Sequence, residues 1–294
     1  MIFSVWLAVF SCAAQAESFF ITTLNCYAFF GGGETHRQLG QPETAPEFWT
    51  KAQNLVNLWP TNAPLPVALQ EIGGEREAVY LGQLAAKRYG HTFQPVFAET
   101  KDTFTEQAVG AVLDLNQGWK ISGRPGRVPE LDKDLSKHLV IHLTNQSSAL
   151  AVCIVHLKRS LGKYGRLAQQ DQSKALKTWA DAQLARNPRA NVIVLGDFNE
   201  TKNPGDADAG SAPLVQPSGP LRDSFVLTGG SFRTHASGKA YDRILISAAL
   251  ATGAAGWRFE KVFAHAHSHG KGLEKKLFTD HFPVTAEFVL TTKK

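Results

Sequence analysis

The sequence predicts an α/β fold, and three observations predict it. Short apolar runs alternate with longer amphipathic ones from one end of the chain to the other, the pattern of strands interleaved with helices. Several of the apolar runs end in a carboxylate, amide or imidazole where an ordinary turn residue would serve. The chain is also large and apolar enough to bury a substantial core, with 294 residues of which 43% are apolar and 19% charged. That composition excludes disordered and collagen-like classes. No internal repeat or long low-complexity linker divides the chain, so residues 17–294 are expected to form one domain.

Taken in order, residues 1–16 (MIFSVWLAVFSCAAQA) are uncharged, mostly apolar and end in Ala14-Gln15-Ala16, a small-x-small cleavage pattern. The segment is too short to span a bilayer. It reads as a signal peptide, so the expected mature chain starts at Glu17, is exported to a periplasmic or secreted location, and has no transmembrane anchor. The run FFITTLNC gives a first strand over 19–26, and amphipathic stretches give helices over 46–58 and 75–88, on either side of a strand at 67–70. Strands follow at 92–97, 108–115, 139–143 and 150–156. The longest amphipathic stretch, with Leu167, Ala175, Leu176, Trp179 and Ala180, gives a helix over 166–186. A strand at 192–196 precedes a surface loop over 201–220, rich in Gly, Pro, Asp and Ala, and strands at 241–246 and 284–290 complete the set.

The strand ends carry the chemistry. Asn25 follows FFITTL, Glu71 follows PVALQ, His156 follows LAVCIV, and Asp197 and Asn199 follow NVIVLG. Ligands of α/β proteins bind outside strand ends, so polar residues at several such ends imply an assembled site. Any one of them alone has a plain structural role available, such as an Asx turn at Asp197.

Six segments in order, TTLNCY, ALQEIGG, VHLKRS, VLGDFNET, AYDRILIS and FTDHFPV, resemble the motif set of the endonuclease/exonuclease/phosphatase superfamily, the deoxyribonuclease-I-like proteins. They run from residue 22 to 284. The resemblance implies a four-layer sandwich of two packed mixed β-sheets flanked by helices, and a metal-dependent phosphodiester hydrolase. It is closest to exported bacterial nucleases.

The resemblance also implies roles. Glu71 would be the principal metal carboxylate, with Asn25 and Asp280 completing or supporting a hard-oxygen site for Mg²⁺ or Mn²⁺. Asp197 would orient or deprotonate the attacking water, and Asn199 would donate to a phosphate oxygen. His156 and His281 would bind the phosphate and stabilise transition-state charge, each with a carboxylate behind it: Asp242 for His281 and Glu106 for His156. Lys137, Lys158 and Arg166 would contact substrate phosphate.

The remaining features bound the partner. A formal net charge of +5 favours a polyanion, and Lys158, Arg159, Lys163 and Arg166 cluster after His156, while Lys271, Lys275 and Lys276 precede His281. The expected substrate is DNA or RNA, acted on by a monomer. An inositol-phosphate or sphingomyelin hydrolase is the alternative, followed by a non-catalytic polyanion-binding module. Cys26 and Cys153 lie in strands, and would pair only if those strands are neighbours. His265, His267 and His269 alternate without a carboxylate or cysteine beside them and next to Gly270 and Gly272, which favours a loop over a metal site.

Overall fold

The structure, a computed structural model, describes residues 17–291 except 31–43, 104, 146–147, 160–161, 201, 203–205, 207–208, 217, 231–232 and 269–276. The signal-like segment 1–16, parts of the expected loop, His269, Lys271, Lys275 and Lys276 lie outside the described residues.

Twelve strands and seven helices are described. They are β1 (Ser18–Phe29), α1 (Ala45–Asn57), β2 (Pro66–Ile72), α2 (Glu75–Tyr89), β3 (Phe93–Ala98), β4 (Ala108–Asp114), β5 (Lys120–Ile121), α3 (Pro129–Asp132), β6 (His138–Asn145) and β7 (Ser148–His156). There follow α4 (Gly162–Arg186), β8 (Asn191–Asp197), α5 (Ala212–Val215), β9 (Leu221–Asp223), α6 (Ser224–Leu227), β10 (Asp242–Ser247), α7 (Ala248–Thr252), β11 (Trp257–Ala264) and β12 (Val284–Leu290).

The strands form two six-stranded mixed sheets, in the orders β11-β12-β1-β2-β4-β3 and β5-β6-β7-β8-β10-β9. Each has one parallel pair, β1 with β2 and β7 with β8, among antiparallel neighbours. Side chains alternate across a strand, and both faces here are apolar, so each sheet must be covered twice. In β7, Leu150, Val152 and Ile154 face the other sheet. Ala151, Cys153 and Val155 instead meet Leu131 of α3, Leu176 and Trp179 of α4 and Leu214 of α5. In β1, Phe19 and Ile21 face inward, while Leu24 and Cys26 meet α1 and α2. Phe19 anchors the middle layer, stacked on Phe288 at 4.9 Å and edge-on to Trp119 and Trp257. Cys26 and Cys153 therefore sit under different helical layers as free buried thiols, and burial raises the pKa of both.

Local signals explain the helices that cover the sheets. Thr44 and Glu47 form a reciprocal capping box at the start of α1, with Pro46 in its first turn. Phe48, Lys51, Ala52, Leu55 and Val56 then form its buried face. Glu75 and Glu77 begin α2, Lys87 and Arg88 end it, and Gly90 closes it at φ +69°.

Several elements depart from expectation, and the short α3, β5, α6 and α7 were not anticipated at all. α4 starts four residues earlier than the apolar pattern indicated, and Leu167, expected on its packed face, is 47% exposed. Its buried face begins instead with Gln169, Gln172 and Ser173. The expected loop 201–220 contains the short helix α5, and the unanticipated β9 follows it directly. β11 was also unanticipated, because a register shift between Phe259 and Lys261 breaks its alternation.

Candidate active site

The inward parity of each strand, continued past its last apolar residue, generates the site. In β1 the series Phe19, Ile21 runs on to Asn25; in β7 it runs to His156, in β8 from Ile193 and Leu195 to Asp197, and in β10 back from Ile246 and Ile244 to Asp242. The same rule carries β4 back through Ala111 and Val109 to Gln107, and β6 back through Ile141 and Leu139 to Lys137. The pairing directions bring all six ends to one edge of the inter-sheet layer, with His156 beside Asp197 and Asp242 beside Asp197 in register.

Glu71 breaks the rule. Val67 and Leu69 of β2 face the helices, so strict alternation would bury Glu71 among them. A register shift between Gln70 and Ile72 and a backbone φ of +58° turn it toward the site instead. Tyr27, Ala28, Glu106 and Asn199 share this left-handed conformation, at φ between 49° and 55°. All the described non-glycine residues with positive φ thus lie at strand ends around the site, where strain of about 1–3 kcal/mol each is held by surrounding contacts. One such contact is the buried Lys51 of α1, whose amine donates to the Tyr27 carbonyl at 2.7 Å.

A chain of hydrogen bonds joins the two sheets. Asn25 donates its amide to Glu71 at 3.0 Å and to Asp197 at 2.9 Å, while its oxygen accepts from the Tyr27 N–H. The other Glu71 oxygen accepts from the Ala28 N–H and from Gln107 at 2.9 Å. Gln107 in turn accepts from Lys137 at 3.1 Å, and Lys137 pairs with Asp102 at 3.0 Å.

The two imidazoles flank Asp197, whose Oδ2 lies 3.7 Å from His156 Nε2 and 3.8 Å from His281 Nε2. They differ in charge. Burial, helped by the Lys137 ammonium, pushes the His156 pKa down to about 3, so this ring is neutral. Burial also opposes a charge on His281, but Asp242, Asp197 and Asp280 outweigh it and raise its pKa to about 10. Asp242 accepts from His281 Nδ1 at 2.8 Å. The Asp197 carboxyl is itself pushed up by burial, against the pull of both imidazoles.

Asn199 is held by its N–H to Asp197 at 2.7 Å and by its amide to the Leu157 carbonyl at 3.0 Å. Asp280 stands 4.0 Å from His281 and 3.1 Å from His235. The expected pairing of Glu106 with His156 does not form. Glu106 is exposed, its left-handed backbone gives the inward position to Gln107, and His156 Nδ1 is buried without a hydrogen-bond partner.

Lys158 and Arg166 are exposed outside this cluster. Lys158 lines a cleft of about 460 Å³ with Lys101, Lys133, Asp132, Asp134 and Asp171. His265 and His267 are likewise outside it. His267 donates to the carbonyl of His281 at 2.9 Å, and the described residues place neither ring in a metal-binding group. Sequence reasoning missed Gln107 and His235. The inward parity of AVGAVLD was the available signal for Gln107.

No protein-family model matches the sequence, and no curated protein does. Solved structures do. TDP2 from D. rerio, complexed with a single strand DNA product, matches with a TM-score of 0.60 at 16% identity, over 92% of this chain and 98% of that one. The catalytic domain of human Nocturnin, with a bound sulfate anion, matches at 0.61 and 16%, over 94% and 96%. An endonuclease/exonuclease/phosphatase family protein from Bacteroides thetaiotaomicron matches at 0.59 and 13%, over 95% and 100%. The chain has the deoxyribonuclease-I-like fold. Within this fold the cluster around Asp197 occupies the open end of the layer between the sheets, with helices closing both outer faces.

Proposed function

We propose that the protein is a metal-dependent phosphodiester hydrolase acting on nucleic acid. The observation that carries the reading is the set converging on Asp197: an acid oxygen between one neutral and one cationic imidazole, bridged through Asn25 to Glu71. Pairs of titratable groups driven apart in pKa are what acid–base chemistry at neutral pH requires.

The donor set fits Mg²⁺ or Mn²⁺. Glu71 and Asp280 offer hard oxygens, Asp280 Oδ1 is buried without a hydrogen-bond partner, and the two described thiols are buried in other layers. Glu71 and Asp280 would hold the ion, with Asn25 fixing the Glu71 carboxylate. When bound, the ion supplies Lewis acidity toward a phosphate oxygen. The His281 imidazolium binds a non-bridging phosphate oxygen and stabilises charge that develops there. Asp197 orients the attacking water, and Asn199, held on the Leu157 carbonyl, binds a phosphate oxygen. His156 stays neutral and accepts or donates through Nε2, the ring nitrogen facing Asp197.

Nucleic acid is favoured by the formal net charge of +5 and by Lys137 at the site, with Lys158 and Arg166 exposed beyond it. The D. rerio TDP2 structure, which shares this fold, is complexed with a single strand DNA product, and this supports the reading. Plasmid DNA, RNA, bis-p-nitrophenyl phosphate and sphingomyelin, each incubated with Mg²⁺ or Mn²⁺ and with excess EDTA, test the reading. Cleavage of DNA or RNA that EDTA abolishes is expected, and full activity in EDTA would falsify it. Cleavage of sphingomyelin alone would replace nucleic acid with a lipid substrate.

Export is proposed from the leader-like residues 1–16 alone. N-terminal sequencing of the protein from its native cell should begin at Glu17, and an intact leader on cytoplasmic protein overturns the proposal.

A further inference from the structure

His235 carries no role in the reaction as described above, yet it touches the site. The segment before β10 pairs with the segment before β12 through an isolated antiparallel bridge between His235 and His281. The Ala236 N–H donates to the Asp280 carbonyl at 2.8 Å, and the Phe282 N–H to the Thr234 carbonyl at 2.7 Å. The His235 ring stands edge-on to His281 and Tyr241, with centroids 4.8 and 4.9 Å away. Its Nε2 lies 3.1 Å from Asp280 Oδ2.

Two roles fit that position. His235, Asp280 and His281 have ligand atoms within 4.8 Å of one another, so the ring could ligate an ion alongside Asp280. Alternatively, it donates to Asp280. The far side of the ring decides between them. The Ser237 backbone N–H points at His235 Nδ1 at 2.9 Å, and the Ser237 hydroxyl, 2.7 Å from the same nitrogen, can donate to it as well. An N–H can only donate, so Nδ1 is the accepting nitrogen and the ring proton sits on Nε2. A protonated nitrogen has no lone pair for a metal.

We infer that His235 is a positioning residue for Asp280. Its Nε2–H holds Oδ2 and leaves Oδ1, buried and without a hydrogen-bond partner, as the oxygen that faces the site. The inference rests on the proposal that Asp280 serves a metal ion. Groups behind a metal ligand fix its orientation, and their loss weakens metal affinity about 10- to 100-fold. Ser237 completes the relay by fixing the tautomer, so the chain is backbone to imidazole to carboxylate.

The test is Mn²⁺ binding by electron paramagnetic resonance on the full chain, for the parent, His235→Ala and His235→Gln. Glutamine can place an amide N–H near the position of Nε2. His235→Ala should raise the Kd at least about tenfold, and His235→Gln should return it to within about threefold of the parent. Parental affinity in His235→Ala overturns the inference, as does failure of His235→Gln to recover. Nitrogen-15 spectra of the parent give a readout independent of any variant's folding: the Nε2–H tautomer is expected at His235, and the Nδ1–H tautomer overturns the positioning role. Failure of the parent to bind Mn²⁺ overturns the metal reading itself, and the role given to His235 with it.

Discussion

One oxygen, Oδ2 of Asp197, is shared by Asn25 at 2.9 Å, His156 at 3.7 Å and His281 at 3.8 Å, and of its two imidazole neighbours one is neutral and one cationic. Asp242 is what separates them. It is fully buried and bonds His281 Nδ1 at 2.8 Å, whereas among the described residues nothing hydrogen-bonds His156 Nδ1. Asp242→Asn keeps the volume and removes the charge that holds His281 as a cation. Turnover with metal in excess should fall about 10²- to 10⁴-fold, with Mn²⁺ affinity nearly unchanged. Steady-state kinetics at saturating Mn²⁺ check this, and unaltered turnover would mean that the His281 cation is not used. Asn25, His156 and Asp197 were legible as polar residues that end apolar runs, and Asp242 and Lys137 through the family resemblance; the structure places all five on the inward parity of their strands. Glu71 was legible as the polar residue that follows PVALQ and through its motif, although nothing in PVALQE announces the φ of +58° that turns it inward. Glu106 was chosen over Gln107 from its place in FTEQAVGAVLD just before a strand, whereas the parity of that strand gives the inward position to Gln107. His235 could not be read at all. Its importance comes from a single bridge to His281, and no local pattern encodes that pairing.

At the scale of the element, the strand ends are held by buried polar side chains that the helices and loops supply. Gln172 of α4 accepts from the Lys158 N–H at 2.8 Å, and Gln169 donates to the Phe198 carbonyl, so α4 ties down the segments that leave His156 and Asp197. Gly196 lets β8 lie close to β7. A Cβ there would meet the Val155 carbonyl oxygen at 1.9 Å, and its φ of +142° excludes other residues. At the start of β6, His138 plays a comparable part. Its Nε2 accepts from the Val128 N–H at 3.0 Å and its Nδ1 donates to the Leu135 carbonyl at 3.1 Å, so the buried ring must be neutral. Burial, then the Arg127 guanidinium, hold its pKa below the usual 6.5. The unfolded chain therefore takes up a proton at higher pH than the folded one. The stability from His138 is complete above about pH 6.5 and is lost as pH falls below it. Urea midpoints measured from pH 8 to pH 5 should fall on the acid side, and His138→Gln should flatten that fall. An identical pH profile in the variant contradicts the argument. The elements most open to reading were the unbroken apolar runs of β7 and β8 and the periodic interior of α4. β11 escaped because the spacing from Phe259 to Val262 breaks the period of two, and β5 and β9 because two and three residues show no period.

At the scale of the whole molecule, the two sheets make the inter-sheet layer a single core whose open end is the site, and the surface around that end decides what reaches it. The chain carries a formal net charge of +5 and a pI near 9.1. Its field draws polyanions at any orientation, so what distinguishes a nucleic acid from a small diester is how many cations it meets beyond the scissile phosphate. Lys158 follows β7 directly, two residues past His156. α4 is anchored by Gln169 and Gln172, so its first two turns, with exposed Lys163 and Arg166, project beyond those anchors on the same edge. A strand of nucleic acid lying across that edge would meet Lys158 and Arg166 together, whereas bis-p-nitrophenyl phosphate is too short to leave the imidazoles. Each phosphate neutralised by such a cation releases counterions, so DNA affinity should fall steeply with salt. Replacing Lys158 and Arg166 by alanine should weaken DNA binding and flatten the slope of log K against log salt by about one unit per lost contact. Hydrolysis of bis-p-nitrophenyl phosphate should stay at the parent rate. Fluorescence anisotropy with labelled DNA across a salt series, run beside the small-diester assay, separates the outcomes. If the double variant matches the parent on DNA at every salt concentration, these cations only solvate the helix, and the surface argument for nucleic acid over a lipid or inositol phosphate fails.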